Sequence, residues 1–268
     1  MDKIWLVLKE QFDHLKIIFR IAKYENKAVY QGAYLGGAWE ILNPLLQVLT
    51  FYLIFGIGLR SGGLVNGVPF LVWLVIGQAS WMFISGCVNG GSTSVKGKLA
   101  LVSKMKFPIS VLPTILIISK LKSFFVVLGL GLVTAFLMAG ILPTLHWLQF
   151  IYYFIAMIVF LLFLALLTST VNIIFNDFQY ILGVIMRIMF FLSGIMFPLE
   201  DMQGRLGALF QLNPFHYLMS GFRGIFLFQM NFWERPNQTL FFWAFTLMVG
   251  LIGAHLHLKF RAKFSDFL

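Results

Sequence analysis

SFFVVLGLGLVTAFLMAGILPTLHWLQFIYYFIAMIVFLLFLALLTSTVNIIFN, residues 123 to 176, is a run of 54 residues without a single Asp, Glu, Lys or Arg. As one helix it would extend about 80 Å at about 1.5 Å per residue, against a bilayer hydrocarbon core about 30 Å thick. It must therefore double back, and Gly140, Pro143 and His146 near its middle mark the hairpin. Two membrane-spanning helices lie side by side in this run.

Working outward, residues 41 to 59, 61 to 95 and 236 to 258 are equally free of charge. With about 20 apolar residues needed per span, the chain divides into six transmembrane helices near 39–59, 69–90, 109–138, 147–170, 181–199 and 238–257. The composition agrees: 60% hydrophobic, 11% charged and a mean hydropathy of +0.88, where soluble domains carry about 25% charged residues. The expected fold is an all-α membrane protein. Its 10 acidic residues sit mostly at the termini and in one loop, which leaves few carboxylates for acid/base chemistry and argues against most hydrolases. Cys87 is the only cysteine, and no His or Cys cluster has metal-ligand spacing, so a disulfide scaffold, zinc or haem is not expected.

The net charge of +10 reads as topology before nucleic-acid binding. With the N-terminus inside, thirteen of the 20 basic residues fall on the cytoplasmic side, so both termini are expected in the cytoplasm. The first 37 residues hold ten charges and no apolar run of the kind a cleaved signal carries. In them Trp5, Leu8, Phe12, Leu15, Phe19 and Ala22 recur three and four apart, and Lys9, Asp13, Lys16, Arg20, Lys23 and Lys27 recur in antiphase. That pattern predicts one long amphipathic interfacial helix on the membrane surface, or a solvated helix packed on a partner. The chain thus reads as an interfacial segment, residues 1–37, followed by a six-helix membrane domain, residues 38–268. Phe215 to Met230 is apolar but only 16 residues long, about 24 Å of helix. We read it with its surroundings as two re-entrant helices in the last external loop, broken at Asn213 and Pro214.

Within the spans, Glu40, Asn43, Gln47 and Thr50 share one face of the first helix beside Pro44. Such a face turns from lipid, either to line a translocation route or to bond neighbouring helices. Phe51 with Phe55, and Phe190 with Phe191, are candidate aromatic surfaces of the same route. Arg187 lies in the fifth expected span with no acidic neighbour in sequence, a placement that costs about 2.5 to 3.5 kcal/mol on insertion scales. Either a fixed pair with Glu40 or Asp177, or an anionic substrate group, offsets it. Lys120 and Lys122 are two residues apart and cannot share a face; each either snorkels to the cytoplasmic side or, for one of them, points into the bundle. An energy source is missing, because a P-loop over Gly90 to Lys98 would need Gly at position 92 and Ser or Thr at 99, where the chain has Ser92 and Leu99. An intramembrane transferase would need a positioned base or metal, and Glu40, Asp177 and Glu200 are far apart in sequence. The basic cytoplasmic segment with Lys96, Lys98, Lys104 and Lys106, and the turn at Asn176 and Asp177, are each the size of a helix that docks on another protein, or of a solvated loop.

These landmarks also carry a resemblance. Tyr34-Leu-Gly-Gly-Ala-Trp-Glu-Ile-Leu-Asn-Pro44, Gly67-Val-Pro-Phe70, Val102-Ser-Lys-Met-Lys-Phe-Pro108 and Asn213-Pro-Phe215 resemble the permeases of polysaccharide-exporting ABC transporters, in order and spacing across essentially the whole chain. The closing Lys259-Phe-Arg-Ala-Lys-Phe-Ser-Asp-Phe-Leu268 is similar to the wall teichoic acid branch of Gram-positive bacteria. At Asn176-Asp177 the wider family often has Arg-Asp. The resemblance implies a homodimer in the bacterial plasma membrane, bound to two copies of a separate ATP-binding subunit. That subunit would hold ATP and Mg, with no cofactor in this chain. The implied substrate is a teichoic acid polymer on undecaprenyl diphosphate; an O-antigen or capsule glycan, or a small hydrophobic compound, is the alternative. Lys96, Lys98, Lys104, Lys106, Asn176 and Asp177 would form the ATPase contact.

Overall fold

Proline and glycine mark several helix ends: Pro69, Pro113, Pro214 and Pro236 stand at helix starts, and Gly140 caps a helix end. In a computed structural model, which describes residues 2–29, 32–59, 63–98, 107–199, 204–262 and 264, the N-terminal segment is two helices, α1 (Asp2–Asp13) and α2 (Leu15–Val29), rather than one. Their inward face is Val7, Gln11, Ile18 and Ala22, whereas Trp5, Phe12 and Phe19 are exposed. The expected apolar stripe is thus divided: Ala22 packs on the bundle, and the aromatic residues, turned about 100° away at each step, face the surroundings. α1 is tied by Gln11 and Glu10 to Ser110, in the 3-10 turn Ile109–Val111, and by Glu10 and Lys3 to Arg261 and His255 at the end of the last helix.

α3 (Trp39–Phe51) runs on into a wider, π-helical stretch, Tyr52–Leu59. Pro44, inside α3, lacks the N–H that would bond the Glu40 carbonyl four residues back; the Ser123 hydroxyl donates to that carbonyl instead, at 3.5 Å. A tight hairpin of β1 (Leu64–Val65) and β2 (Val68–Pro69) follows, turned by Asn66 and Gly67, both at positive φ, as a two-residue Asn-Gly turn demands. α4 (Phe70–Ser94) is the hub and is buried along most of its length. It packs on α5 (Leu112–Ala139), α6 (Phe150–Ile174), α7 (Phe178–Leu192) and α9 (Pro214–Leu227). Small residues permit this in a lipid environment, where helices gain by close approach rather than by leaving water. A Cβ at Gly91 would stand 2.8 Å from the Ala165 Cβ, so α4 and α6 touch nearly backbone to backbone.

α5 ends on Gly140 in the left-handed conformation, and a short 3-10 turn, Leu145–Gln149, leads into α6. The hairpin falls where the uncharged run places it. α10 (Pro236–Phe260) closes the bundle against α6. Among the described residues five helices are long and apolar enough to cross a bilayer; the sixth expected span, 181–199, is the shorter α7.

α7 has 15 residues, about 22 Å of helix, and stops at Leu192, where side chains from further along the chain bond its last carbonyl and the turn that follows. Asn213 donates to Leu192 O at 3.2 Å and to Ser193 Oγ at 3.0 Å, while its own Oδ1 caps α9 through Phe215 N at 3.0 Å. Arg223, expected in an external loop, is 5% exposed and donates to Gly194 O at 2.7 Å, Ile195 O at 3.1 Å and Trp73 O at 3.1 Å. Non-helical backbone is tolerated at membrane depth where it is buried and bonded in this way. The two short helices of the last loop, α8 (Gly204–Gln211) and α9, do break at Asn213. α9, whose residues from Phe215 to Leu227 are all buried, is a core element.

Candidate functional site

The candidate residues fall into two cavities flanking α3 rather than along one path. The larger is a groove of about 390 Å³ between α3, α4 and α7, lined by Gln47, Phe51, Trp81, Ser85, Asn89, Gly183, Met186, Arg187, Phe190 and Phe191. Phe51 stacks on Phe190 at 5.1 Å between ring centres, and Phe190 meets Trp81 edge-on at 5.8 Å and Phe191 at 5.1 Å. Phe55 packs behind Phe51 at 6.2 Å and is not among the lining residues. Trp81, Ser85 and Asn89 were not singled out from sequence, though their spacing of four along α4 puts them on one face.

Arg187 is exposed to this groove. Its Nε donates to Gly183 O one turn back, at 3.3 Å, and among the described residues no carboxylate pairs with it. Of the two partners expected for a structural pair, Glu40 is held by Lys122 at 2.7 Å and Asp177 lies exposed at the start of α7. The guanidinium therefore keeps donors available in a groove otherwise made of aromatic rings, amides and a hydroxyl. That combination suits a ligand with hydroxyls, ring faces and negative charge: rings stack on apolar faces, amides bond hydroxyls, and Arg binds anions through its planar fork.

The second cavity, about 160 Å³, lies between α3, α4 and α5 and collects Glu40, Asn43, Lys120 and Ser123 with apolar neighbours. So the polar stripe of α3 is split: Glu40 and Asn43 serve this cavity, and Gln47 the aromatic groove. Thr50 bonds its own helix at Leu46 O, 2.8 Å.

Beyond the ends of α4 and α6, two expected docking segments meet. Lys96 Nζ donates to Asn176 Oδ1 at 3.0 Å. Just inside, Asn172 donates to Ser92 O and accepts from Gln179 N, both at 3.1 Å, so α4, α6 and α7 are joined at one corner. Lys98 pairs with Glu25 of α2, and burial pushes its ammonium below the usual lysine value. Lys104 and Lys106 lie outside the described residues.

Comparison with known proteins gives this arrangement its context. The chain is similar to an O-antigen export system permease protein RfbA of Myxococcus xanthus, 30% identical over 223 residues that cover 82% of this chain and 84% of that protein. It is also similar to an RfbA of Klebsiella pneumoniae, 23% identical over 258 residues, 96% and 95% of the two chains. Both carry the O-antigen name rather than the teichoic acid name. Residues 17–227 match the model of the ABC-2 type transporter family, and with five apolar helices of spanning length the chain belongs to that family, as an integral membrane protein.

Proposed function

We propose that this chain is the membrane-spanning subunit of an ATP-driven exporter that carries a lipid-linked glycan from the cytoplasmic to the outer leaflet of the bacterial plasma membrane. Two copies would form the route and two copies of a separate ATP-binding subunit would drive it, with both termini in the cytoplasm. The observation that carries the reading is the groove itself. Four aromatic rings, two amides and a guanidinium face one space between a poorly buried first span and a short seventh helix, which suits sugar rings and phosphate better than a purely apolar drug. The relatives' names favour a glycan of the O-antigen kind. A teichoic acid polymer is the narrower alternative, supported by the likeness of the closing residues 259–268.

Depletion decides the main reading: surface glycan should fall while lipid-linked glycan builds up inside the cell. Normal surface glycan in cells lacking the protein would end it. Mass analysis of the trapped material separates the two polymers, since a teichoic acid has alditol phosphate repeats and an O-antigen is built of sugars.

For coupling, we propose that the corner made by Lys96 and Asn176, continued by Lys98 and Asp177 and by the segment with Lys104 and Lys106, receives the ATPase. The hydrogen bond between Lys96 and Asn176 lets a push at either segment reach α4, α6 and α7 together. Cysteines at 97 and 176 should cross-link to the ATPase in more than half of the complexes, in a pattern that changes when nucleotide binds. Cross-links confined to the C-terminal residues would refute the assignment.

A further inference from the structure

The smaller cavity has a charge imbalance that the glycan groove does not explain. Its wall carries Glu40, Asn43, Lys120 and Ser123. Glu40 is buried and already paired with Lys122 at 2.7 Å, so those two charges cancel. Lys120 remains: among the described residues no carboxylate pairs with it, and its chain lies across Gly86 of α4, where a Cβ would stand 4.0 Å from its Cδ. The Asn43 amide adds a neutral donor at the same wall.

The depth of this cavity suits an amphiphile. α5 is tied to α1 through Thr114, which donates to Gln11 Oε1 at 2.7 Å, and Lys120 lies about 9 Å further along the helix. With α1 at the membrane surface, as its amphipathic pattern predicts, the cavity opens just inside that level, where a lipid headgroup reaches without leaving its leaflet. At about 30 Å³ per water, its volume is that of about five waters, enough for a phosphoryl group.

We propose that this cavity binds the phosphate or diphosphate headgroup of a lipid in the leaflet nearest α1, with Lys120 as its first counter-ion. A second negative charge then competes with Glu40 for Lys122. That competition matters for α3, whose buried residues are only Glu40, Pro44 and Val48; loosening the Glu40 pair frees the end of α3 that separates this cavity from the aromatic groove. The inference deepens the export reading and rests on it for the substrate's diphosphate. The same chemistry also fits an ordinary anionic phospholipid.

The test uses the full-length chain in phosphatidylcholine nanodiscs, with bound lipid read by native mass spectrometry. Three probes are compared: a polyprenyl diphosphate without glycan, phosphatidylglycerol, and a polyprenol without phosphate. The diphosphate should be retained at least tenfold better than the polyprenol. Lys120→Gln should remove about tenfold of that advantage, Lys120→Arg should keep most of it, and Glu40→Gln should strengthen binding severalfold, a gain that general destabilisation cannot produce. If phosphatidylglycerol matches the diphosphate with the same dependence on Lys120, the site is confirmed and its source is bulk phospholipid. Equal retention of the polyprenol, or binding indifferent to both Lys120→Gln and Glu40→Gln, overturns the proposal. Failure of the export reading would look different: normal surface glycan on depletion, with headgroup binding intact.

Discussion

Arg223→Leu should prevent accumulation of the folded protein, and in detergent should lower stability by about 4 kcal/mol or more. The estimate follows from its three bonds to carbonyls of Trp73, Gly194 and Ile195. Hydrogen bonds to a charged group contribute about 1.5 to 3 kcal/mol each, and each buried carbonyl left without a donor costs about 1 to 3 kcal/mol. The guanidinium also lies over the Trp73 ring, 3.4 Å from its centre, which adds a cation–π term. Gly77→Ala should act almost as strongly, because a Cβ there would stand 1.9 Å from Arg223 Nη2. The end of an arginine side chain normally swings aside, but this one is held by three acceptors. Gly129→Ala, with nothing within 4 Å of the added carbon, is the matched control and should melt like the wild type. Thermal unfolding of the four proteins decides it: an Arg223→Leu variant as stable as Gly129→Ala would show that the carbonyls find other donors and that the guanidinium does not join α4, α7 and α9.

Arg223 also shows where reading the sequence stopped. The uncharged run from Ser123 to Asn176 and its break at Gly140 were plain, because span length and a left-handed cap are local properties. The break at Asn213 was legible for the same reason. What was not legible was that Arg223 and Asn213 reach back to the end of α7, since a carbonyl acceptor has no letter in the sequence. That hidden pairing is why a span drawn to 199 ends at Leu192. It is also why an arginine assigned to a loop lies in the core. The N-terminal stripe was legible as an amphipathic pattern but its division was not: period 3.6 locates apolar residues, and it does not say which of two apolar directions meets protein. At the candidate site, Glu40, Asn43, Gln47 and Arg187 were visible as polar residues out of place in lipid, and Phe51, Phe190 and Phe191 as aromatic residues beside them in sequence. Their division between two cavities, and the choice of Lys122 over Arg187 as the partner of Glu40, depend on helix packing between distant segments.

That choice leads to the second large effect. Since Lys122 holds Glu40 and Arg187 bonds only its own helix among the described residues, at Gly183 O, removing Arg187 strands no carboxylate. Arg187→Ala should therefore fold, insert and join its ATPase normally, yet lower glycan export by about ten- to a hundredfold, the equivalent of losing about 1.4 to 2.8 kcal/mol of interaction with a passing phosphate. Arg187→Lys keeps the charge but loses the planar fork, and should retain an intermediate rate. Phe190→Ala separates the roles of ring and charge. It removes the stacking partner of Phe51 and the edge contact to Trp81, so it should slow export of any glycan, including an uncharged one. Arg187→Ala should spare an uncharged glycan. Export of charged and uncharged lipid-linked substrates in proteoliposomes, measured beside ATP hydrolysis, gives the comparison. Equal loss on both substrates would make Arg187 a positioning element of α7, and a loss of ATP hydrolysis alongside export would move its role from the glycan to the coupling path.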